Sequence, residues 1–565
     1  MLWLKINSFI QNKLLIGWRP YLVLAVIILL LYAPSLNYDY HYLDDNVLIK
    51  DNFSRLTDLR YFYKSFTEGA FHSPNGSELY YRPLLNISFV IDALWHANSL
   101  FFFHLTDILL HILVSWLIAL ALIEFKLSRL QSFLWALLFA VHPINLQAIA
   151  WLPGRNDPLV AIVILAALIN FLRAINHNRA KNFWLFWFFY LLSLFTKETA
   201  IVFPALCLLY LWLIKKEKLF GPLSIKIGLL YVIITIPWWL LRSLVIPEPI
   251  SSSYDIAASL TANVWGIIPY LGKIIWPFNL SVFPVLTDTP LIYGILTIAL
   301  FIGLFWWQKD KKNTRLVLWG LAWFLLFLLP ALIRPLSSLA DFSEHRVYLP
   351  LFGIIIALYS LQLKWPIKLQ KLSWLTPVVY TTVLLILIVV NIAHAPVYQN
   401  KISFWSDAVD NSPNSSFNRN NLGAMYYLDG RYQEAATQWE KTLQLNPNEP
   451  LTRNNLGLLY ARSGQYAEAE KMYLAENALN PYYDDAYFNL GLLYYAQKKV
   501  DSAVAAWQKT IDVNPENWDA YNNIAFVYLD NQRIAEAQRY IDLLKQRGGP
   551  ILPILQEAID KNRQK

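Results

Sequence analysis

The sequence predicts an all-α protein in two parts, a polytopic transmembrane helical domain followed by an α-solenoid. Two observations lead to this fold class. The 565 residues are 56% hydrophobic and 16% aromatic, which is too apolar for a soluble chain of this length. Apolar runs long enough to cross a bilayer fill the chain to about residue 393, and a repeat with a period of 34 residues fills the remainder. We therefore expect a membrane domain over residues 1–397 and a solenoid over 398–565.

The net charge of +8 could indicate a nucleic-acid partner. The lysines and arginines, however, cluster in short loops between apolar segments, as a bias toward the inner leaflet produces. We therefore expect membrane lipids, and no nucleic acid, around this chain. The single cysteine, Cys207, lies in an apolar run and allows no intramolecular disulfide. The first apolar segment has a basic flank without a small-residue cleavage site after it, which favours a retained signal anchor.

Eleven apolar segments are predicted to span the membrane, from their length and from breaks at charge or proline. They are Tyr21–Leu36, Phe101–Phe125, Leu130–Ala140, Leu159–Leu172, Phe183–Phe195, Ala200–Ile214, Ile225–Ile246, Leu291–Trp307, Leu316–Ile333, Val347–Leu363 and Leu372–Ala393. A twelfth apolar segment, Ala257–Phe278, contains glycines, prolines and Lys273, so we predict that it is re-entrant or interfacial.

The basic loops predict the orientation. They fall on one side if Ala257–Phe278 does not cross, and that side is the cytoplasm. The loops contain Lys5/Lys13/Arg19, Lys126/Arg129, Arg173/Arg179/Lys181, Lys215/Lys216/Lys218, Lys309/Lys311/Lys312/Arg315 and Lys364/Lys368/Lys371. The prediction is a multi-pass membrane protein with a cytoplasmic N-terminus and a solenoid on the outer side of the membrane.

An acidic pair, Asp44-Asp45, lies in the polar stretch that follows the first predicted span. A carboxylate at the boundary of water and lipid can be partly desolvated, which raises its basicity and suits a general base. The alternative is a hydrated loop that happens to contain acids. Farther along this external loop, Arg55–Phe66 and Pro83–His96 have the amphipathic, aromatic pattern of helices lying in the interface plane, which would frame a cavity over the membrane.

Several cations are predicted on the same side as the acidic pair: Arg82, Arg155, Lys197, Arg242 and Arg346. Together they would suit an anionic leaving group, most simply a lipid-linked phosphate. Individual residues also have structural interpretations. His142 could cap the end of a span, Asp157 could begin a helix, and Lys197 could pair with Glu198. Arg82 could be an interface anchor.

A repeat organises the C-terminal part. Residues at equivalent positions are 34 residues apart: Asn421/Asn455/Asn489/Asn523, Tyr426/Tyr460/Tyr494/Tyr528, Ala435/Ala469/Ala503/Ala537 and Pro447/Pro481/Pro515. This period and pattern are those of the tetratricopeptide repeat. We predict four repeats over 416–549 and a capping helix over 550–565. Because Trp405 aligns with Trp439, Tyr473 and Trp507, residues 398–415 read as half a repeat, docked on the membrane domain with little free linker.

The sequence contains no Walker loop, dinucleotide fingerprint, zinc spacing or Gly-x-Ser-x-Gly elbow. Nucleotide-driven transport and the commoner hydrolase chemistries therefore have no support.

A set of short motifs resembles a known family. They are Asp44-Asp45-x3-Ile49-x2-Asn52, Tyr81-Arg82-Pro83-Leu84, Phe103-His104-x5-Leu110-His111, Phe139-Ala140-Val141-His142-Pro143, Gly154-Arg155-x-Asp157, Thr196-Lys197-Glu198-Thr199 and Glu344-His345-Arg346-x-Tyr348-Leu349-Pro350. In this order, and followed by tetratricopeptide repeats, they are similar to the integral-membrane glycosyltransferases of the GT-C superfamily, and to its protein O-mannosyltransferase-like members in particular. The Glu-His-Arg-x-Tyr-Leu-Pro form resembles bacterial members, and His345 stands where animal members have arginine.

The resemblance implies that Asp44 is the catalytic base and that Asp45 assists in positioning the acceptor or a metal. It implies a polyprenyl-phosphate-linked sugar, a mannose-like hexose, as donor. Lys197 and Arg155 are then the first choices for the lipid phosphate, followed by Arg82, Arg242 and Arg346. The supporting residues of the same motifs are His104, His142, Asp157, Glu198, Glu344 and His345. Metal dependence varies in this superfamily, so a divalent metal at Asp44 and Asp45 is left open and no other cofactor is expected.

Three functional hypotheses follow. The first is transfer of a sugar, with inversion or retention, to a hydroxyl of Ser or Thr on a protein that the solenoid groove recruits. The second is a non-catalytic membrane anchor whose repeats gather envelope proteins. The third is a flippase or polymerase for lipid-linked oligosaccharides. The acidic pair and the external cations favour the first, because an anchor needs neither.

Overall fold

The computed structural model describes residues 16–71, 80–96, 99–246, 256–308, 313–333, 342–362 and 375–563. Within these ranges the secondary structure is helical, which confirms the all-α class. Contacts between Cα atoms divide the chain into two units, the first reaching Pro413 and the second beginning at Asn414. Of the predicted basic loops, Lys5, Lys13, Lys309, Lys311, Lys312, Lys364, Lys368 and Lys371 lie outside the described residues.

The first unit is built from long apolar helices joined by short helical turns. Its helices of eight or more residues are Arg19–Tyr32, Pro83–His96, Leu100–Glu124, Arg129–Val141, Asn156–His177, Ala180–Leu194, Phe203–Tyr210, Pro222–Val245, Ile256–Asn263, Ile267–Ile275, Ile292–Trp307, Thr314–Leu332, Pro350–Ser360, Leu375–His394 and Lys401–Asn411. The shorter turns are Ala33–Asn37, Asn46–Lys50, Phe53–Leu56, Tyr61–Lys64, Pro143–Asn145, Leu146–Ala150, Leu152–Arg155, Glu198–Val202, Leu211–Lys215, Val264–Gly266, Glu344–Val347 and Ala395–Tyr398.

Among the described residues, seven helical segments are long and apolar enough to cross a membrane, so the first unit is a membrane domain. They are Arg19–Asn37, Leu100–Glu124, Leu152–His177, Glu198–Lys215, Pro222–Val245, Thr314–Leu332 and Leu375–Tyr398. An eighth crossing would be the pair Arg129–Val141 and Pro143–Ala150, which meet at a bend of 55°.

Each of the eleven predicted segments contains a helix, but in the described ranges fewer than eleven of these helices are long enough to span by themselves. Four of these helices, Arg129–Val141, Ala180–Leu194, Ile292–Trp307 and Pro350–Ser360, have 13, 15, 16 and 11 residues. At about 1.5 Å per residue they are shorter than a hydrocarbon core of about 30 Å. Their apolar character agrees with the prediction, whereas the helices themselves are shorter than a single span requires.

Two other predicted segments are broken in the structure. Ala257–Phe278 contains helices of 8, 3 and 9 residues, none of which is long enough to span. Its re-entrant or interfacial placement remains a prediction. In the first loop, Pro83–His96 is one helix as predicted, whereas Arg55–Phe66 contains two single turns, Phe53–Leu56 and Tyr61–Lys64.

A continuous apolar core holds the first unit together, and helices Thr314–Leu332 and Pro350–Ser360 approach each other closely within it. A Cβ atom on Gly320 would lie only 2.5 Å from the carbonyl oxygen of Gly353, so these helices can approach this closely only because both positions lack side chains. The packed helices fix the ends from which the polar loops emerge.

The second unit consists of antiparallel helix pairs and confirms the predicted repeats. The pairs are Ser416–Leu428 with Tyr432–Leu445, Thr452–Arg462 with Tyr466–Leu479, Asp484–Ala496 with Val500–Val513, and Trp518–Asp530 with Ile534–Gln546, followed by Pro553–Arg563. Within a pair, the repeat glycine lies against the large ring of the second helix. A Cβ on Gly423 would meet Trp439 Nε1 at 2.6 Å, which explains why a small residue recurs at this position.

Candidate active site

The acidic pair lies in a tightly held loop, Tyr38–Asn52, which we call the acid loop. Asp45 is completely buried, and its Oδ2 atom accepts a hydrogen bond of 2.6 Å from the backbone N–H of His41. Asp44 is partly exposed and has a φ of +68°, a left-handed conformation that is uncommon outside glycine. The two carboxylates therefore differ in their surroundings. Asp45 is buried and stabilises the conformation of the loop, while Asp44 lies at the surface of the loop.

The acid loop is fixed to the segment that follows the last long span. Tyr38 Oη donates to the carbonyl oxygen of Ala395 at 2.9 Å, and His41 Nε2 donates to that of Tyr398 at 2.7 Å. Burial raises the pKa of Tyr38 to about 12. Burial and the carboxylate of Asp45 raise the pKa of Tyr40 as well, so both phenols stay neutral beside the acids.

The connection between helices, residues 142–157, is compact. His142 accepts a hydrogen bond from the N–H of Ile144 at 3.2 Å through Nδ1 and donates to the carbonyl of Ile274 at 2.8 Å through Nε2. It thus has the capping contacts that its structural interpretation predicts. A Cβ on Gly154 would lie 2.8 Å from the carbonyl oxygen of Gln147, so the turn before Arg155 requires glycine.

Trp151 joins three loops at this connection. Its Nε1 atom donates to the carbonyl of Leu43, next to Asp44, at 2.9 Å. Its ring centroid lies 5.2 Å from that of His345. The backbone N–H of His345 in turn donates to Gln147 Oε1 at 3.0 Å. The acid loop, the 142–157 connection and the turn Glu344–Val347 therefore form one contiguous region.

Five of the predicted residues form a second group, which we call the cation cluster: Arg82, Asp157, Lys197, Glu198 and Arg346. Lys197 Nζ donates to Asp157 Oδ1 at 2.6 Å, and Arg82 Nε donates to Glu198 Oε2 at 3.0 Å. The charges of Arg82 and Arg346 act on both Asp157 and Lys197. The predicted pairing of Lys197 with Glu198 is therefore wrong, because each takes its partner from elsewhere in the chain.

The cation cluster contains three cations and two carboxylates. Burial lowers the pKa of Lys197, as do Arg82 and Arg346, while Asp157 opposes the shift. Burial would also lower the pKa of Arg82, but Glu198, Tyr80 and Asp157 together raise it and the net direction is upward. Poorly hydrated lysine and arginine side chains of this kind are suited to donate hydrogen bonds to an anionic oxygen ligand.

Arg155 lies in a different environment, the arginine cluster, formed with Asp92 and Asp107. Its side chain has no exposed surface. Nη1 lies 2.6 Å from Asp92 Oδ2, Nε donates to Asp107 Oδ1, and Nη2 donates to the carbonyl of Phe103 at 2.7 Å. The guanidinium also lies 4.5 Å from the ring centroid of Phe89. Here two carboxylates surround a single cation.

Glu344 belongs to a third buried group. Its Oε1 atom accepts hydrogen bonds from Lys273 Nζ at 2.7 Å and from the N–H of Ser281 at 2.6 Å. Asp407 acts electrostatically with this pair and accepts from the N–H of Val282 at 3.1 Å. Burial, reinforced by Glu344, raises the pKa of Asp407 to about 7.

Two predicted residues form no ion pair with the residues of either cluster. Among the described residues, Arg242 has no ion pair or side-chain hydrogen bond, and it lies near the end of helix Pro222–Val245. His104 is fully buried, with its ring 6.3 Å from that of Tyr38. It lies behind the acid loop rather than at its surface.

The sequence reasoning missed the partners of the predicted cations. Asp92 and Asp107 neutralise Arg155, while Gln147 and Trp151 link the loops. Only Asp107 carried a usable signal, because an ionisable residue inside an apolar span has a partner or a function by default. Asp92 lies in an amphipathic segment, where a polar residue is ordinary and gives no signal. Nothing in the local sequence distinguishes Trp151 from the other tryptophans.

The predicted acids were also tested for a metal site. Within the ranges that the structure covers, no three His, Cys, Asp or Glu side chains are grouped so as to hold a metal ion. Asp45 has a buried Oδ1 atom without a hydrogen-bond partner, but it is a single donor. The residues described therefore do not by themselves form a metal centre.

The fold and the site define a class: a helical membrane domain with a buried polar site in its loops, followed by a solenoid. Profiles described as "TPR repeat" match residues 423–464 and 491–532, and one described as "Tetratricopeptide repeat" matches 454–508. These residues are tetratricopeptide repeats.

The chain is also similar to curated proteins. It is 34% identical over 148 residues to protein O-mannosyl-transferase TMTC1 of Homo sapiens, covering 24% of this chain and 17% of that protein. It is 23% identical over 385 residues to protein O-mannosyl-transferase TMTC3 of Mus musculus, covering 59% of this chain and 41% of that protein. Each match thus spans less than half of the relative's length. Among solved structures, the crystal structure of MamA matches 29% of this chain and 90% of its own at 24% identity, with a TM-score of 0.24.

Proposed function

We propose that this chain is a glycosyltransferase. It moves a mannose-like hexose from a polyprenyl-phosphate donor to a hydroxyl acceptor, a Ser or Thr of a protein, at the periplasmic face of a bacterial inner membrane. The observation that carries the proposal is that one connection, residues 142–157, contacts both the acid loop and the cation cluster. Trp151 reaches Leu43, beside Asp44, and Asp157 binds Lys197 six residues later.

The different surroundings of the two acids support the assignment of Asp44 as the general base. Asp45 is buried and bound to the N–H of His41, so it stabilises the loop. Asp44 is at the surface, in a left-handed conformation that such a loop must hold in place. Strained backbone of this kind is concentrated at functional sites, where the surrounding structure supports it.

The reaction is a simple substitution. Asp44 takes the proton of the acceptor hydroxyl while that oxygen forms a bond to the anomeric carbon of the sugar. The bond from the anomeric carbon to the phosphate oxygen breaks, and its electron pair leaves on the polyprenyl phosphate. The cation cluster stabilises the negative charge on that leaving group, with Lys197, Arg82 and Arg346 as its donors.

Arg155 and Arg242 have other roles in this proposal. Arg155 is enclosed by Asp92 and Asp107, so we assign it to holding the loop region rather than to touching the phosphate. Arg242 lies near the end of a long apolar helix, where it would bind the headgroup of the donor or of a neighbouring lipid.

In this proposal the solenoid binds the acceptor protein. Tetratricopeptide repeats present an extended concave surface, which fits a polypeptide acceptor better than a small molecule. The similarity to proteins named O-mannosyl-transferases supports the same reaction class.

The test compares Asp44→Asn with Asp51→Asn, a matched change of an exposed carboxyl in the same loop. Cells lacking the native gene are complemented with each variant, and hexose-modified peptides of envelope proteins are counted by mass spectrometry. Loss of a general base lowers the rate by about 10²–10⁴-fold, so D44N should abolish the modification while D51N keeps it. The amount of each variant in the membrane is measured in parallel.

Modified peptides at the wild-type level in D44N would contradict the enzyme and leave the non-catalytic anchor as the better account. A loss of modification in D51N as large as in D44N would also count against Asp44, because it would show a general sensitivity of the loop to charge.

A further inference from the structure

Tryptophans at one position of the repeat make the same contact in the solenoid. Trp439 Nε1 donates to the carbonyl of Asn420 at 3.0 Å, and Trp507 Nε1 donates to that of Phe488 at 3.1 Å. In both cases the acceptor lies 19 residues earlier, in the first helix of the same pair. This tryptophan therefore joins the second helix of a repeat to the first.

Trp405 occupies the equivalent position, 34 residues before Trp439. It lies in the helix Lys401–Asn411, which we call the junction helix and which belongs to the first unit. Trp405 is completely buried, and its Nε1 donates to the carbonyl of His41 at 2.9 Å. The acid loop thus takes the place in this contact that the first helix takes in a complete repeat.

The same stretch of chain holds the acid loop at further points. The N–H of Asp39 donates to the carbonyl of Gln399 at 3.1 Å, beside the bonds of Tyr38 to Ala395 and of His41 to Tyr398. All of these partners lie within residues 395–405, so this stretch holds the acid loop at several points.

The junction helix is itself anchored in the first unit by two other contacts. Asp407 Oδ2 accepts from the N–H of Val282, and Ser412 Oγ accepts from the N–H of Val285, both at 3.1 Å. These bonds reach the segment after Ile267–Ile275 rather than the acid loop. The helix is therefore a fixed support against which the loop is held.

We propose that Trp405 is a positioning residue for glycosyl transfer. Its bond to the carbonyl of His41 holds the acid loop, whose His41 N–H binds Asp45, in the conformation that places Asp44 for proton removal. The inference rests on the proposed function. Because Asp44 has a left-handed backbone, the loop should relax when this support is weakened.

The test uses Trp405→Phe, which removes the N–H donor and keeps an aromatic ring. Trp439→Phe removes the equivalent donor in the solenoid, and Ser412→Ala removes a bond of the same junction region that does not reach the loop. Loop mobility is followed in the full-length chain by the rate at which a soluble maleimide labels Asn46→Cys, with Cys207→Ser as background.

W405F should raise the labelling rate several-fold and lower kcat about tenfold, with the KM for the donor unchanged, since one hydrogen bond of ordinary strength is lost. W439F and S412A should label at the parent rate. Tyr38→Phe, which deletes only the side-chain hydrogen bond to Ala395, should also raise the labelling rate. It replaces W405F in the test if W405F does not accumulate in the membrane.

Labelling at the parent rate in W405F, or in Y38F where W405F does not accumulate, would overturn the positioning role. A rise in KM with kcat unchanged would overturn it as well. If labelling rises but the parent protein itself transfers no sugar, the proposed function fails while the support of the loop by the junction helix stands.

Discussion

Two groups of charges in the membrane domain resemble each other in sequence and differ in structure. The arginine cluster places one cation, Arg155, between Asp92 and Asp107 with no exposed surface. The cation cluster places three cations around Asp157 and Glu198. A buried cation enclosed by acids stabilises the fold, whereas several cations grouped together can bind an anion. Whether a buried cation stabilises the fold or binds a ligand therefore depends more on the groups around it than on whether it is an arginine or a lysine.

The largest expected effect comes from removing Arg155. Arg155→Leu leaves Asp92 and Asp107 buried without their cation, which costs about 3–5 kcal/mol and should prevent accumulation in the membrane. Adding Asp92→Asn and Asp107→Asn should restore accumulation. The measurement is the membrane level and the melting temperature in detergent. Arg242→Leu is the control, since Arg242 has no partner among the described residues. Normal melting of R155L would remove the distinction between the clusters.

The next effect concerns the cation cluster. Lys197→Met combined with Asp157→Asn removes a bonded pair without leaving a buried charge, so the protein should accumulate. Sugar transfer should fall by about 10²-fold or more, because a donor to the leaving phosphate is lost. Asp157→Asn alone should bind the donor at least as tightly as wild type, since a negative charge beside Lys197 is removed. Wild-type transfer in the double variant would show that the cluster is structural, like its counterpart at Arg155.

A third prediction concerns an acid without a directly bonded cation. Burial raises the pKa of Asp407 to about 7, so folding retains a proton that the unfolded chain releases near its ordinary pKa. The contribution of Asp407 to the free energy of unfolding should be largest at low pH. It should fall as the pH rises toward about 7, by about 2 kcal/mol between pH 5 and 7. Melting temperatures at the two pH values, for wild type and Asp407→Asn, test this. An unchanged pH dependence in D407N would contradict it.

The smallest effect is expected from Arg82→Lys. The charge stays, but the contact of the guanidinium with the ring of Tyr80, at 4.1 Å, and the directed bond to Glu198 are lost. We expect the KM for the donor to rise by roughly two- to fivefold with kcat unchanged. A loss as large as that of K197M/D157N would show that Arg82 and not Lys197 carries most of the binding.

Much of the fold was predictable because it depends on local patterns. Apolar periodicity and the 34-residue spacing predicted the helices and the repeats, and both are confirmed. Among the described residues, fewer helical segments than the eleven predicted are long enough to span on their own, since an apolar run does not reveal where a helix such as Pro350–Ser360 stops. A helix such as those in Ala257–Phe278 is interrupted where contacts with distant parts of the chain are more favourable than continuing the helix. A local sequence pattern does not reveal such contacts.

The site was predictable as a set of residues and not as an arrangement. The motifs contain Asp157, Lys197 and Arg82, which the structure brings together. The pairing of Lys197 with Asp157 rather than with its neighbour Glu198 depends on the packing of two distant helices. The enclosure of Arg155 depends on Asp92, whose own surroundings look like those of any amphipathic helix.

The most direct measurement is the binding of a sugar-free polyprenyl phosphate to the purified protein in detergent. The account predicts that D44N binds it as tightly as wild type, because Asp44 acts on the acceptor, and that K197M/D157N binds it at least about tenfold more weakly. Wild-type affinity in K197M/D157N, or lost affinity in D44N, would contradict the assignment of the acid loop to catalysis and of the cation cluster to the phosphate.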